Sequence, residues 1–97
     1  MPTALWIAHV EVMDTEAYGR YAALAGPAIA AHGGAFLARA GRYVQLEGND
    51  RARNVVARFP SLKRAVECYH SPAYQEALAN ARGASIRDLM VVEEIGE

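Results

Sequence analysis

Sulfur cross-links are excluded at once: the 97 residues hold one cysteine, Cys68, so no internal disulfide can frame the fold. A chain so poor in cysteine suits a reducing compartment, and a cytoplasmic protein is expected. Excess charge is missing too. Ten basic and eleven acidic side chains leave a net charge of -1, which offers no footprint to nucleic acid or an anionic membrane. No apolar run approaches the ~20 residues that span a bilayer. The start, MPTALWIAHVEV, has no basic stretch followed by a long apolar segment, so no signal peptide is expected. His9, His32 and His70 lie too far apart for a metal-ligand spacing, and neither a metal site nor a cofactor is expected. No repeat, linker or low-complexity tract divides the chain, so residues 1–97 are expected to form one domain.

What the chain has in plenty is apolar surface. Hydrophobic residues make up 53%, more than a small monomer easily hides, and oligomerisation follows as an expectation. Ala4 to Val12 forms a first strand, rich in β-branched and aromatic residues. Alternation puts Trp6, Ala8, Val10 and Val12 on one face and Leu5, Ile7, His9 and Glu11 on the other. Asp14 can cap a helix that runs toward His32 on a face of Tyr18, Tyr21, Ala22, Ala25, Ala28 and Ile29. Pro27 falls inside it and predicts a kink or restart. Gly33-Gly34 supplies a left-handed C-cap.

The second strand is expected over Ala35 to Glu47, interrupted near Gly41 by a bulge or tight turn. Gly48-Asn49-Asp50 is a turn, and Arg53 to Phe59 is a third strand in an antiparallel hairpin with the second. Ser61 caps a second helix, and Ser71-Pro72 stops it and starts another, closed at Arg82-Gly83. A last strand runs from Ile86 or Arg87 to Ile95. The order β-α-β-β-α-β predicts an α+β, ferredoxin-like sandwich: one four-stranded antiparallel sheet with helices on one face. The uncovered face also carries apolar residues. A second copy laid sheet against sheet would bury both, so a homodimer through the open sheet face is the expected partner.

The segments IAHVEVMDTEAYGRY, HGGAFLARAG, LEG and VVARFPSLKRAVECYHSPAYQEAL, with Arg82 after them, resemble a small bacterial family, the domain of unknown function thirteen-thirty. The resemblance covers almost the whole chain. It implies a ferredoxin-like protomer in the dimeric α/β-barrel superfamily and a homodimer whose two sheets close into a barrel. It implies no single activity. Fold relatives include cofactor-free quinone-forming monooxygenases, muconolactone isomerases, haem-dependent peroxidases and ligand-sensing regulator domains, and fold does not settle function. One departure stands out. Where the family often shows R-G-G, this chain has Arg39-Ala40-Gly41.

Candidate chemistry is sparse. His9, mid-strand on the face assigned to a barrel interior, is a general base, a metal or haem ligand, or a hydrogen-bonded core histidine. Arg39 and Arg58 on the hairpin could point into one cavity and hold a carboxylate or enolate oxygen, or could pair with Glu47 or Glu11. These three, His9, Arg39 and Arg58, are the catalytic candidates. Tyr18, Tyr21 and Glu47 are the ligand-binding candidates, with packing against the sheet as the alternative for the tyrosines. Asp14 has a capping role, Trp6 a core role, and Cys68 lacks the surroundings of a nucleophile. Three readings follow: a homodimer that binds a small organic molecule, with cofactor-free proton transfer or oxygenation as its chemistry; a sensing module without turnover; and a dimeric interaction scaffold.

Overall fold

The computed structural model describes residues 2–96. The elements are β1 (Ala4–Val12), α1 (Thr15–Ala31), β2 (Ala35–Arg39), β3 (Arg53–Phe59), α2 (Leu62–His70), α3 (Pro72–Ala81) and β4 (Ser85–Glu93). All pairings are antiparallel, in the spatial order β2-β3-β1-β4. This is the ferredoxin-like α+β arrangement, with its second helical stretch divided at Ser71. The Ser71 hydroxyl accepts from Tyr74 N and donates to the Cys68 carbonyl, so one residue ends α2 and caps α3.

Burial alternates along β1 as the pleat requires. Ala4, Trp6, Ala8 and Val10 are buried under the helices, while His9 and Glu11 are exposed on the other face. Trp6 anchors the core. Its ring lies 5.5 Å from Phe59 and meets Tyr74 edge-on at 5.1 Å. Ala25, Ala28, Ala77 and Ala81 are buried on α1 and α3, and their small side chains let the two packed helices sit close.

Helix α1 is continuous through Pro27 and does not restart there. The residue before a proline is pushed away from helix by a clash with its Cβ, and here that residue is Gly26. Asp14 caps the start by accepting from Glu16 N and Ala17 N. At the other end Gly34 N donates to Ile29 O and Gly33 N to Ala30 O, a Schellman pair with Gly33 at φ 84.

Strand β2 stops at Arg39, well short of the expected Glu47. The pairing slips between Phe36 and Ala38, so Leu37 is bulged. Ala40 then turns into the left-handed region at φ 58 and donates its N–H to Asn54 O, the last bond of the hairpin. Residues 41–52 have no ladder partner among the described residues, and Val44 and Leu46 are 81% and 86% exposed. Strand propensity in Tyr43–Glu47 is not enough without a neighbour to pair with.

Candidate functional site

A cleft of about 700 Å³ opens between α2, α3 and β4. Leu62, Val66, Tyr69, Leu78, Leu89 and Trp6 supply its apolar wall, and Arg87, His70, Arg82 and Ser85 its polar groups. The cleft follows from the connection at Ser71. Helix α3 packs on α1, while the short α2 sits over the sheet and leaves a gap toward the edge strand β4. Apolar walls with a few polar groups are the usual make-up of a small-molecule site, and the volume lies in the usual range. A second hollow, between α1 and the sheet, holds about 20 Å³ and is lined by Tyr18, Tyr21, Arg39, Arg53 and Arg87. That is room for about one water.

Arg87 borders both spaces. It lies opposite Val10 on the helix-facing side of β4, in line with Leu89 and Val91. Its Nη2 donates to Tyr21 Oη at 2.8 Å and to Tyr74 Oη at 3.1 Å, and the two phenol oxygens are 2.7 Å apart. The guanidinium also lies 4.7 Å from the Tyr21 ring centre. Burial pushes both phenols above their ordinary value, Tyr21 the further, so neither supplies a negative charge near neutral pH. Arg53 stands on β3, also opposite Val10, with its guanidinium 5.3 Å from the Tyr18 ring centre. The Nε atoms of Arg53 and Arg87 are both buried and without a hydrogen-bond partner. No carboxylate pairs with either arginine among the described residues. Desolvating an ion costs several kcal/mol, and a cation–π contact returns only about 0.5–2 kcal/mol. The layer beneath α1 is therefore short of negative charge.

The expected site residues do not converge. Arg39 and Arg58 lie on opposite faces of the sheet, which corrects the expectation that both point into one cavity. The Leu37 bulge is the cause: it shifts parity by one residue, so Arg39 pairs beside Val55 on the helix side and stacks 4.3 Å from the Phe36 ring centre. Arg58 is on the open face and pairs with Glu94 at 2.7 and 3.0 Å, not with Glu47 or Glu11. Those bonds, with one from Thr3, hold the Glu94 carboxyl below its usual range. Glu47 sits in the exposed loop and accepts from the Gln45 side chain at its backbone carbonyl. Glu11 is 3.9 Å from Arg51, which also pairs with Asp88.

His9 is on the open face, with Nδ1 2.6 Å from Asn54 Oδ1. Asn54 Nδ2 donates to Arg51 O, which fixes the amide orientation, so His9 Nδ1 donates to Oδ1 and Nε2 has no partner among the described residues. The sheet thus separates His9 from the cleft. Tyr18 and Tyr21 are buried under α1 as wall residues of the small hollow, and Tyr21 bonds Arg87. His32 donates from Nδ1 to Ala28 O at the end of α1. Burial pushes the Cys68 thiol up to about 11. Among the described residues no group of three or more His, Cys, Asp or Glu side chains is placed to hold a metal ion. No helix there is long and apolar enough to cross a membrane.

Sequence reasoning missed Arg53 and Arg87. The signal was present for both arginines. Arg87, Leu89 and Val91 alternate on one face, as do Arg53, Val55, Ala57 and Phe59, so each strand carries a charge near the start of its core-facing row.

Solved structures with this fold have varied descriptions. A protein of unknown function from Rhodopseudomonas palustris superposes with a TM-score of 0.78 at 21% identity, covering 99% of this chain and 85% of its own. SnoaB, a cofactor-independent oxygenase from Streptomyces nogalater, gives 0.66 at 12% identity over 100% of this chain and 97% of its own. An ethyl tert-butyl ether D family protein from Bacillus halodurans gives 0.58 at 13% identity over 98% and 100%. No curated protein matches the chain. The family model described as domain of unknown function DUF1330 matches residues 3–95, and the chain belongs to that family.

Proposed function

We propose that this protein is a cytoplasmic homodimer that binds a small organic molecule in the cleft between α2, α3 and β4. The observation that carries the reading is the cleft itself: about 700 Å³, apolar on its walls, with half-buried Arg87 at its margin. Homodimerisation is supported by the open sheet face, where Met90, Val92 and Ile86 are 52%, 40% and 43% exposed beside half-buried Leu5, Ile7 and Val56. A second copy would cover that band and bring His9 and Arg58 into the space between the two sheets.

The cleft is testable with N-phenyl-1-naphthylamine, an uncharged probe that accepts energy from tryptophan. Trp6 is the only tryptophan and lines the cleft. The expected result is saturable energy transfer at one probe per protomer, removed by Val66→Arg at the half-exposed α2 wall. Transfer that does not saturate, or that Val66→Arg leaves unchanged, would remove the cleft as a ligand site.

A second reading is cofactor-free catalysis of the proton-transfer or oxygenation type. The likeness to SnoaB favours it. In the cleft Arg87 would hold a developing oxyanion. Any use of His9 as a base would have to be at the sheet interface, and His9→Ala would then abolish turnover there while leaving probe binding in the cleft intact.

A further inference from the structure

We infer that the cleft's ligand is a small organic anion, a carboxylate or an enolate on an apolar body, whose oxygens are held by Arg87, itself positioned from behind the cleft by Tyr21 and Tyr74. The inference rests on the reading of the cleft as a ligand site and adds the chemical class of what fills it.

Two phenols carry two protons. The 2.7 Å bond between Tyr21 and Tyr74 uses one of them. Arg87 Nη2 donates to both phenol oxygens, at 2.8 and 3.1 Å, and so consumes acceptors without using the second proton. One phenol O–H therefore remains to be donated, and Arg87 Nε–H is buried with no acceptor. The cluster has more donors than acceptors, and Arg87 is its member that borders the cleft.

Charge narrows the acceptor further. No ion pair reaches Arg87, Arg53 or Arg39 among the described residues, and all three lie on the helix-facing side of the sheet. Arg53 and Arg87 both face Val10 from the adjacent strands, and both keep a buried, unpartnered Nε. A neutral carbonyl would satisfy the donors and leave the charge. An anionic oxygen satisfies both, and a charged acceptor makes the stronger hydrogen bond. The rest of the ligand meets Trp6, Val66, Tyr69, Leu78 and Leu89, which select an apolar body.

The test is competition against N-phenyl-1-naphthylamine by 4-tert-butylbenzoate and by 4-tert-butylbenzamide, near-isosteres that differ in charge. The acid is expected to displace the probe at a concentration at least about tenfold lower than the amide. Arg87→Met should bring the two to within about threefold of each other, and Tyr74→Phe should shrink the acid's advantage while the fold is retained. The wild-type ratio alone decides if Arg87→Met does not fold. An amide that competes as well as the acid overturns the anion assignment and leaves the cleft standing. A protein whose Trp6 emission responds to none of the three compounds overturns both.

Discussion

At the scale of single residues, Ala40 carries a measurable strain. Its φ of 58 lies where an L residue with a Cβ is held at a cost and glycine is not. Ala40→Gly is therefore expected to stabilise the protein by about 1 kcal/mol, read as a rise of roughly 4–8 °C in Tm for a domain of this size. An unchanged or lowered midpoint would show that the loop relaxes around alanine without cost. The buried phenols make a second prediction. Burial raises the pKa of Tyr21 and of Tyr74 in the folded state. Stability from a group whose folded pKa is raised is full below its unfolded pKa and falls as pH climbs past it. The protein should thus lose stability above about pH 10, where phenols of the unfolded chain ionise. Tyr21→Phe should flatten that alkaline slope, measured by urea unfolding between pH 9 and 11.

At the scale of elements, the turn from α1 into β2 is the tightest junction. A Cβ on Gly34 would lie 2.6 Å from Ile29 Cγ2 and 2.7 Å from Phe59 Cζ, both in the packed core. Gly34→Ala is expected to cost about 1–3 kcal/mol through overpacking, while Gly41→Ala, with open space around it, should be near neutral. Equal midpoints for the two variants would contradict this account of the junction. The same hairpin shows how far the sequence could be read. Helix starts at Asp14, Ser61 and Ser71 were legible because each cap is a local hydrogen bond to a nearby backbone N–H. Strand parity in β1 was legible because alternation is strict there. The Leu37 bulge was not, since it depends on which residue of β3 pairs with Phe36. That one slip sent Arg39 to the helix side and dissolved the expected pairing of Arg39 with Arg58. The donor cluster at Arg87 was also beyond local reading: Tyr21, Tyr74 and Arg87 come from α1, α3 and β4, and only packing brings them together.

At the scale of the molecule, one layer of helices covers one face of the sheet, and the other face keeps an apolar band between two polar ends. His9, Asn54, Arg51 and Asp88 form one end, and Arg58, Glu94 and Thr3 the other. The arrangement predicts a dimer with a dry centre and a polar rim. Sedimentation at micromolar concentration should give a species of twice 10.5 kDa. Met90→Glu, in the middle of the band, should shift it to the monomer. A wild-type monomer would contradict the sheet-to-sheet arrangement.

The cleft and the open face are alternative places for a ligand, on opposite sides of one sheet. Amide chemical-shift mapping with 4-tert-butylbenzoate tells them apart directly. The account predicts shifts at Val66, Tyr69, Leu78, Arg87 and Leu89, with His9, Asn54 and Val56 unmoved. Shifts centred on His9 and Val56, or none at millimolar ligand, would contradict it.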